Sequence, residues 1–288
     1  MLFLLSILFN SLNQYANQID LKDGIISTAD NENCTYDVYY SVRLISTTIL
    51  CLFQCSFLSI NSQSQKGGAI YVNLKTLYSQ SHIISKCNIS SCQGLYGGSI
   101  YFESTETSNI QITESIFSNN RAKNFGGSVY FKQTTFSITN CSFNTNKILE
   151  ATSNIYGGSN YFCYSEGTIE STNFSNNLLS NSLSSENNIY AYGGSIHIIN
   201  LSVEIQNCIF INNTSYAIPS SPFSYSNGGA ICLTRSFCNL TFCEFYNNTC
   251  TGDASKASTL GYGGGFYANI SSNVIINSCQ FDHNGLRN

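Results

Sequence analysis

The sequence predicts an all-β chain wound as a parallel β-helix of about eight rungs, with loops leaving the coil at one corner. Three observations predict it. Two short motifs alternate along most of the 288 residues, only one of the two spacings between them is nearly constant, and the composition is wrong for helices. Charged residues make up 10% of the chain, against the usual quarter, and Met 1, Pro 2 and Trp 0 stand beside 44 Ser, 36 Asn, 19 Phe and 19 Tyr. Long helices want Ala, Leu, Glu and Lys, and a disordered chain would lack the aromatics. A net charge of -4 with twelve basic residues leaves no footprint for nucleic acid.

The first motif is Gly-Gly, a small residue, an apolar one and usually Tyr: GGAIYV from Gly67, GGSIYF from Gly97, GGSVYF from Gly126, GGSNYF from Gly157, GGSIHI from Gly193, GGAICL from Gly228 and GGGFYA from Gly263. The second is Phe-X-X-Asn, at Phe117/Asn120, Phe143/Asn146, Phe174/Asn177, Phe210/Asn213, Phe245/Asn248 and Phe281/Asn284, with Phe57 and Ile89 in the same place in two degenerate copies. From each Gly-Gly to the next Phe or Ile the spacings are 22, 20, 17, 17, 17, 17 and 18 residues; from there to the next Gly-Gly they are 10, 8, 9, 14, 19, 18 and 18. A fixed half is what stacked strands require, since each rung registers on its neighbour. A half that stretches is a loop, where extra length costs little entropy. Four long loops are expected, at 147–156, 178–192, 214–227 and 249–262, and both prolines, Pro219 and Pro222, fall in one of them.

Inside the fixed half the pattern has period two. The columns Ile70, Ile100, Val129, Asn160, Ile196, Ile231, Phe266 and Val72, Phe102, Phe131, Phe162, Ile198, Leu233, Ala268 should face inward. The residue between them, Tyr71, Tyr101, Tyr130, Tyr161, His197, Cys232 or Tyr267, should face outward, either as a stacking platform for sugars or a partner, or as an aromatic ladder that steadies the sheet. A Tyr or Phe before Gly-Gly (Tyr96, Phe125, Tyr156, Tyr192, Tyr262) closes the corner. Two residues before the Phe column stands a small inward column, Cys55, Cys87, Ser115, Cys141, Thr172, Cys208, Cys243 and Cys279. Its cysteines on successive rungs read as stacked thiols in preference to disulfides, because Ser115 and Thr172 fill the column without a partner. Cys34, Cys51, Cys92, Cys163, Cys238 and Cys250 are the better disulfide candidates. Gly-Gly supplies a corner with positive φ and no Cβ, and the Asn of Phe-X-X-Asn is expected to take the left-handed turn conformation and to bond its amide to the Asn above and below.

Alternating GGA(I/V)Y and FxxN motifs resemble the repeats of the chlamydial polymorphic outer-membrane proteins, also seen in surface proteins of parasitic protists. The resemblance spans Phe57 to Asn284. It implies a right-handed β-helical passenger displayed at a surface and acting in adhesion or host contact. The chain departs from the bacterial form in showing no C-terminal membrane barrel, in using Ser after Gly-Gly, and in losing the second FxxN copy.

Residues 1–16, beginning MLFLLSILF, match the apolar part of a secretory signal and are too short to span a bilayer. Residues 17–50, with Asp20, Asp23, Asp30 and Asp37, are expected to cap the coil, and 51–288 to form it, truncated because no Gly-Gly or cap follows Phe281. Thirteen cysteines fit an oxidising compartment. Ten Asn-X-Ser/Thr sequons are close to what this composition produces by chance. An enzyme of the polysaccharide lyase or hydrolase kind would need clustered carboxylates. Counted from their glycines, Glu103, Glu166, Glu204 and Glu170 fall at 6, 9, 11 and 13 and are expected to share no face. His197 and His283 read as repeat variants, the third histidine is His82, and no Cys-X-X-Cys or His pair points to a metal. The expectation is a secreted or surface β-helix with no catalytic, cofactor or metal site. Its loops would recognise a host-cell or matrix protein or a glycan, with no nucleic acid and no membrane span. The alternatives are a carbohydrate-active enzyme and a structural stalk fragment.

Overall fold

Gly-Gly corners and Phe-X-X-Asn bends recur along the chain, and among the described residues the computed structural model consists of strands, most of two to five residues, joined by tight turns, with Ile100–Thr113 and Val129–Thr139 the longest. It describes residues 18–21, 25–27, 36–38, 41–45, 49–62, 65–74, 80–148, 154–181, 189–217, 224–251, 259–269 and 271–287. The strands form three parallel sheets of sixteen, nine and twelve strands around one interior, a parallel β-solenoid. Each motif stacks on its own copies. The run Ile70, Ile100, Val129, Asn160, Ile196, Ile231, Phe266 is in register along the first sheet. Phe57, Ile89, Phe117, Phe143, Phe174, Phe210, Phe245 and Phe281 are in register along the second. The coil makes about six turns, fewer than the eight rungs expected. Strands Gln18–Leu21 and Ser41–Ile45 pair in register toward Ile70–Leu74, and Tyr36–Val38 adds to the second sheet, so the segment read as a cap contributes strands to the coil. The segment read as a signal, 1–16, lies outside the described residues, as do Asp23, Asp30 and Cys34.

The interior is filled by the expected columns. Phe117, Phe143, Phe174, Phe210, Phe245 and Phe281 stack face to face at centroid separations of 4.5 to 5.0 Å. Such pairs add to the apolar burial that holds each turn on the next. The Asn ladder also forms: Asn120, Asn146, Asn177, Asn213 and Asn248 are fully buried, and each Nδ2 donates to the Oδ1 of the next at 2.8 to 3.2 Å. The left-handed backbone, however, belongs to the residue before each Asn. Asn119, Thr145, Asn176, Asn212, Asn247 and His283 have φ between 52° and 56°, which aims the following Asn inward. Asn144, Asn176, Asn212 and Asn247 then form a second ladder on the outside.

A shared hydrogen bond, beyond size alone, explains the small column. Cys87, Cys141, Cys208 and Cys243 donate Sγ–H to the carbonyl two residues back at 3.1 to 3.4 Å, and Ser115 and Thr172 donate their hydroxyls there at 2.7 and 2.8 Å. Each stands just after a residue with positive φ, and its donor adds a second bond to a carbonyl that already accepts a backbone N–H from the neighbouring turn, as the Ser85 carbonyl does from Gln54 N–H at 3.0 Å. A second bend uses the same device: after Tyr164 and Arg235, Ser165 and Ser236 donate to the carbonyls of Cys163 and Thr234.

Two histidines are buried in the stack. His82 lies in an inner column between Leu50 and Ile110, and its Nδ1 accepts the Leu50 N–H at 3.2 Å. His197 takes a Tyr position and its Nε2 meets Thr234 Oγ1 at 3.1 Å. Burial lowers their pKa values to about 4 and about 3. An unfolded imidazole titrates near 6.5, so below that pH the unfolded chain binds protons the folded one refuses. Stability is therefore intact above about pH 6.5 and falls toward pH 4, by about 3 kcal/mol for each histidine. Urea denaturation across this range should show that slope, and His197→Tyr, which restores the residue used on neighbouring turns, should remove about half of it.

Candidate interaction face

The third sheet carries the insertions. Arg121–Phe125 is a single strand, but on the next turn Lys147–Ile148 and Ile155–Tyr156 both pair with it. From there outgoing strands Lys147–Ile148, Leu178–Asn181, Thr214–Ala217 and Thr249–Thr251 stack on one another. Returning strands Ile155–Tyr156, Ile189–Tyr192, Ser224–Asn227 and Thr259–Tyr262 stack beside them. The four long loops thus start at their expected boundaries, yet they part the middle of one sheet and do not leave at a corner. The reason is apolar: the two arms enclose a second small core of Ala122, Ile148, Ile155, Leu179, Ala191 and Ala217, separate from the main one. Polar bonds cross it, with Ser226 Oγ donating to the Ser215 carbonyl at 2.7 Å and Cys250 Sγ to the Ser226 carbonyl at 2.8 Å. The result is a fin along the coil. The loop tips, 149–153, 182–188, 218–223 and 252–258, lie outside the described residues. On the returning arm Tyr190 and Tyr225 stack at 5.2 Å, and Leu260, next in their column, is exposed.

Beside the fin the Tyr column does not face water as expected. Tyr101, Tyr161 and His197 are buried, because the aromatics before Gly-Gly fold over them: Phe125 lies 5.3 Å from Tyr161 and Tyr156 lies 5.1 Å from His197. Tyr71, Tyr101 and Tyr130 stack at 5.4 and 4.7 Å, and Phe125, Tyr156 and Tyr192 stack at 5.2 Å. Neighbouring rings occupy one another's faces, which leaves edges rather than a flat platform for a sugar.

One ionic cluster sits against this aromatic layer. Glu103 accepts from Lys132 Nζ at 2.6 Å and from the Tyr101 hydroxyl, while Lys66 Nζ donates to that hydroxyl at 3.0 Å and lies 4.7 Å from the Tyr101 ring centroid. Burial pushes the Glu103 carboxyl up, but the hydrogen bonds from Lys132 and Tyr101 and the two ammonium charges outweigh it and hold the pKa below its ordinary value. Tyr101 is pushed well up by burial and by the adjacent carboxylate. Glu103 and Lys132 each stand six residues after their glycine, so scoring bases together with acids in repeat coordinates would have found the pair.

The other acids correct the sequence reading. Glu166 and Glu170 on one strand and Glu204 on the next are all exposed on the outer face of the first sheet, with Glu204 paired to Thr168 between them. Offsets of 9, 11 and 13 share parity, and in a strand equal parity means one face. Among the described residues no three His, Cys, Asp or Glu side chains are grouped to hold a metal ion.

The cysteines expected in loops lie elsewhere. Cys92 is buried at the Asn position of the second copy, where its N–H donates to Asn120 Oδ1 at 3.0 Å, so it begins the Asn ladder. Cys163, Cys238 and Cys250 are also buried, Cys51 is partly buried, and all of these thiols are free. Comparison of the chain with family models, characterised proteins and solved structures finds no match.

Proposed function

We propose that the chain is a non-enzymatic, secreted or surface-displayed repeat protein that recognises a host-cell or matrix protein, or a glycan, through loops carried on one edge of a rigid coil. The observation that supports this most is the fin: four insertions leave the same sheet on successive turns, their bases held in register by strand pairing and, in the first three, by a small core of their own. Rigid bases lower the ordering cost of a binding loop, and Ser, Asn and Tyr are residues that adapt to a partner. Replacing 149–153, 182–188, 218–223 and 252–258 with Gly/Ser segments of equal length tests it. The thermal midpoint should hold while adhesion to target cells weakens at least about tenfold. Unchanged adhesion would remove the proposal.

A second reading, a carbohydrate-active enzyme, draws on Glu166, Glu170 and Glu204 sharing one exposed face. Its test is hydrolysis or elimination on a panel of acidic and neutral polysaccharides, abolished by E166Q, E170Q or E204Q.

A further inference from the structure

Two pairs of thiols lie one above the other in the small column at the bend into the second sheet. Cys55 and Cys87 directly precede the paired residues Ser56 and Asn88, and Cys208 and Cys243 directly precede the paired residues Ile209 and Glu244. All four are buried thiols that form no disulfide. Within each pair the neighbouring thiol, together with burial, pushes the Cys87 and Cys208 thiols up. Adjacent parallel strands place Cα atoms about 4.8 Å apart, inside the span a disulfide bridges. Cys243 has a further thiol on its other side, since its N–H donates to Cys279 Sγ at 3.4 Å. The column also contains a control: Cys141 stands between Ser115 and Thr172, and its N–H donates to Thr172 Oγ1 at 3.3 Å, so neither neighbour in its column is a thiol.

We propose that this column is an oxidation site at which successive turns become covalently stapled, Cys55 to Cys87 and Cys243 to Cys208 or Cys279. The oxidant is a small-molecule disulfide such as oxidised glutathione. One cysteine, as its thiolate, attacks that disulfide, forms a mixed disulfide and releases one glutathione thiol. The neighbouring cysteine gives up its proton, and its sulfur displaces the second glutathione. Two cysteine thiols are thereby oxidised and one glutathione disulfide is reduced to two thiols. Because the thiols are buried between turns, reaction requires a turn to part from its neighbour, so stapling accompanies coiling or slow opening. Once formed, each bridge closes a loop of one whole turn and narrows the unfolded ensemble.

The test uses the full chain incubated with oxidised glutathione, then unfolded, alkylated and mapped by mass spectrometry. The expected result is a loss of about 2 Da per bridge, a Cys55–Cys87 linked peptide, Cys243 linked to Cys208 or Cys279, and Cys141 alkylated. Cys87→Ser and Cys243→Ser supply variants that keep the fold, because Ser115 already fills this column with the same carbonyl hydrogen bond at 2.7 Å. Each should abolish its own bridge and spare the other. Oxidation should raise the urea midpoint of the wild type and leave the double variant unmoved. Alkylation of both Cys55 and Cys87 after oxidation, a bridge that includes Cys141, or an equal rise in the double variant would overturn the proposal.

Discussion

Asn177→Ala is expected to cost about 4 to 6 kcal/mol, most of what an ordinary domain has. The side chain is fully buried and works in both directions: Nδ2 donates to the Phe143 carbonyl at 3.0 Å and to Asn213 Oδ1 at 2.9 Å, while Oδ1 accepts from the Asn146 N–H at 3.0 Å and from Asn146 Nδ2 at 3.2 Å. Truncation leaves the Asn146 N–H without its acceptor and removes one bond each from the Phe143 carbonyl, the Asn146 amide and the Asn213 amide in the interior, at about 1–3 kcal/mol for a buried group left unpaired. Asn176, one residue earlier, is the control. It has φ 54° and is bonded only in the exposed outer ladder, so Asn176→Gly should fall within about 1 kcal/mol of wild type. Urea unfolding of the two variants decides the matter, and a loss for Asn177→Ala no larger than for Asn176→Gly would contradict the ladder's structural role.

Gly158→Ala should be as damaging, for a different reason. Its backbone is not left-handed; the space is simply occupied. A Cβ there would lie against the Gly194 carbonyl oxygen, far inside contact distance, and 2.9 Å from the Leu178 carbonyl carbon. Both are backbone atoms of neighbouring strands, so relief requires the turns to separate and the corner bonds, such as Gly158 N–H to the Gly193 carbonyl at 3.0 Å, to stretch. The expected loss exceeds about 4 kcal/mol, the range reserved for structural failure. Gly261 makes the contrast. Its column neighbours Ile155, Ala191 and Ser226 all carry a Cβ, and one added at Gly261 would approach nothing nearer than 3.4 Å. Gly261→Ala should leave stability unchanged or raise it by up to about 1 kcal/mol. Comparable midpoints for the two variants would refute this account of the corner.

The columns could be read from the chain because they obey two simple periods, two residues along a strand and one turn between copies. Phe174 stacking between Phe143 and Phe210, and Asn177 bonding Asn213, follow from that arithmetic. What escaped it depends on backbone angle or on packing across columns. The left-handed position before each Asn varies among Asn119, Thr145 and His283, so no single residue type marks it. Cys141 and Ser115 look alike by size, but they share a donated hydrogen bond, which size does not reveal. The cover over Tyr161 and His197 comes from Phe125 and Tyr156, and their distance across the corner is fixed only when the coil closes. The fin escaped because lengthening of the variable half reads as loop, whereas Ile148, Ile155 and Leu179 make a small core of it.

The buried amide ladder treats its members alike. Asn146, Asn177 and Asn213 each accept from the Asn before and donate to the Asn after, with near-identical geometry. A gene that duplicated or excised one whole repeat between Asn120 and Asn248 would therefore present the amides at the seam with the same partners they had before. The coil's height is thus a quantity that recombination between repeats can edit in unit steps, and from Lys147 onward each step brings or removes one pair of fin strands.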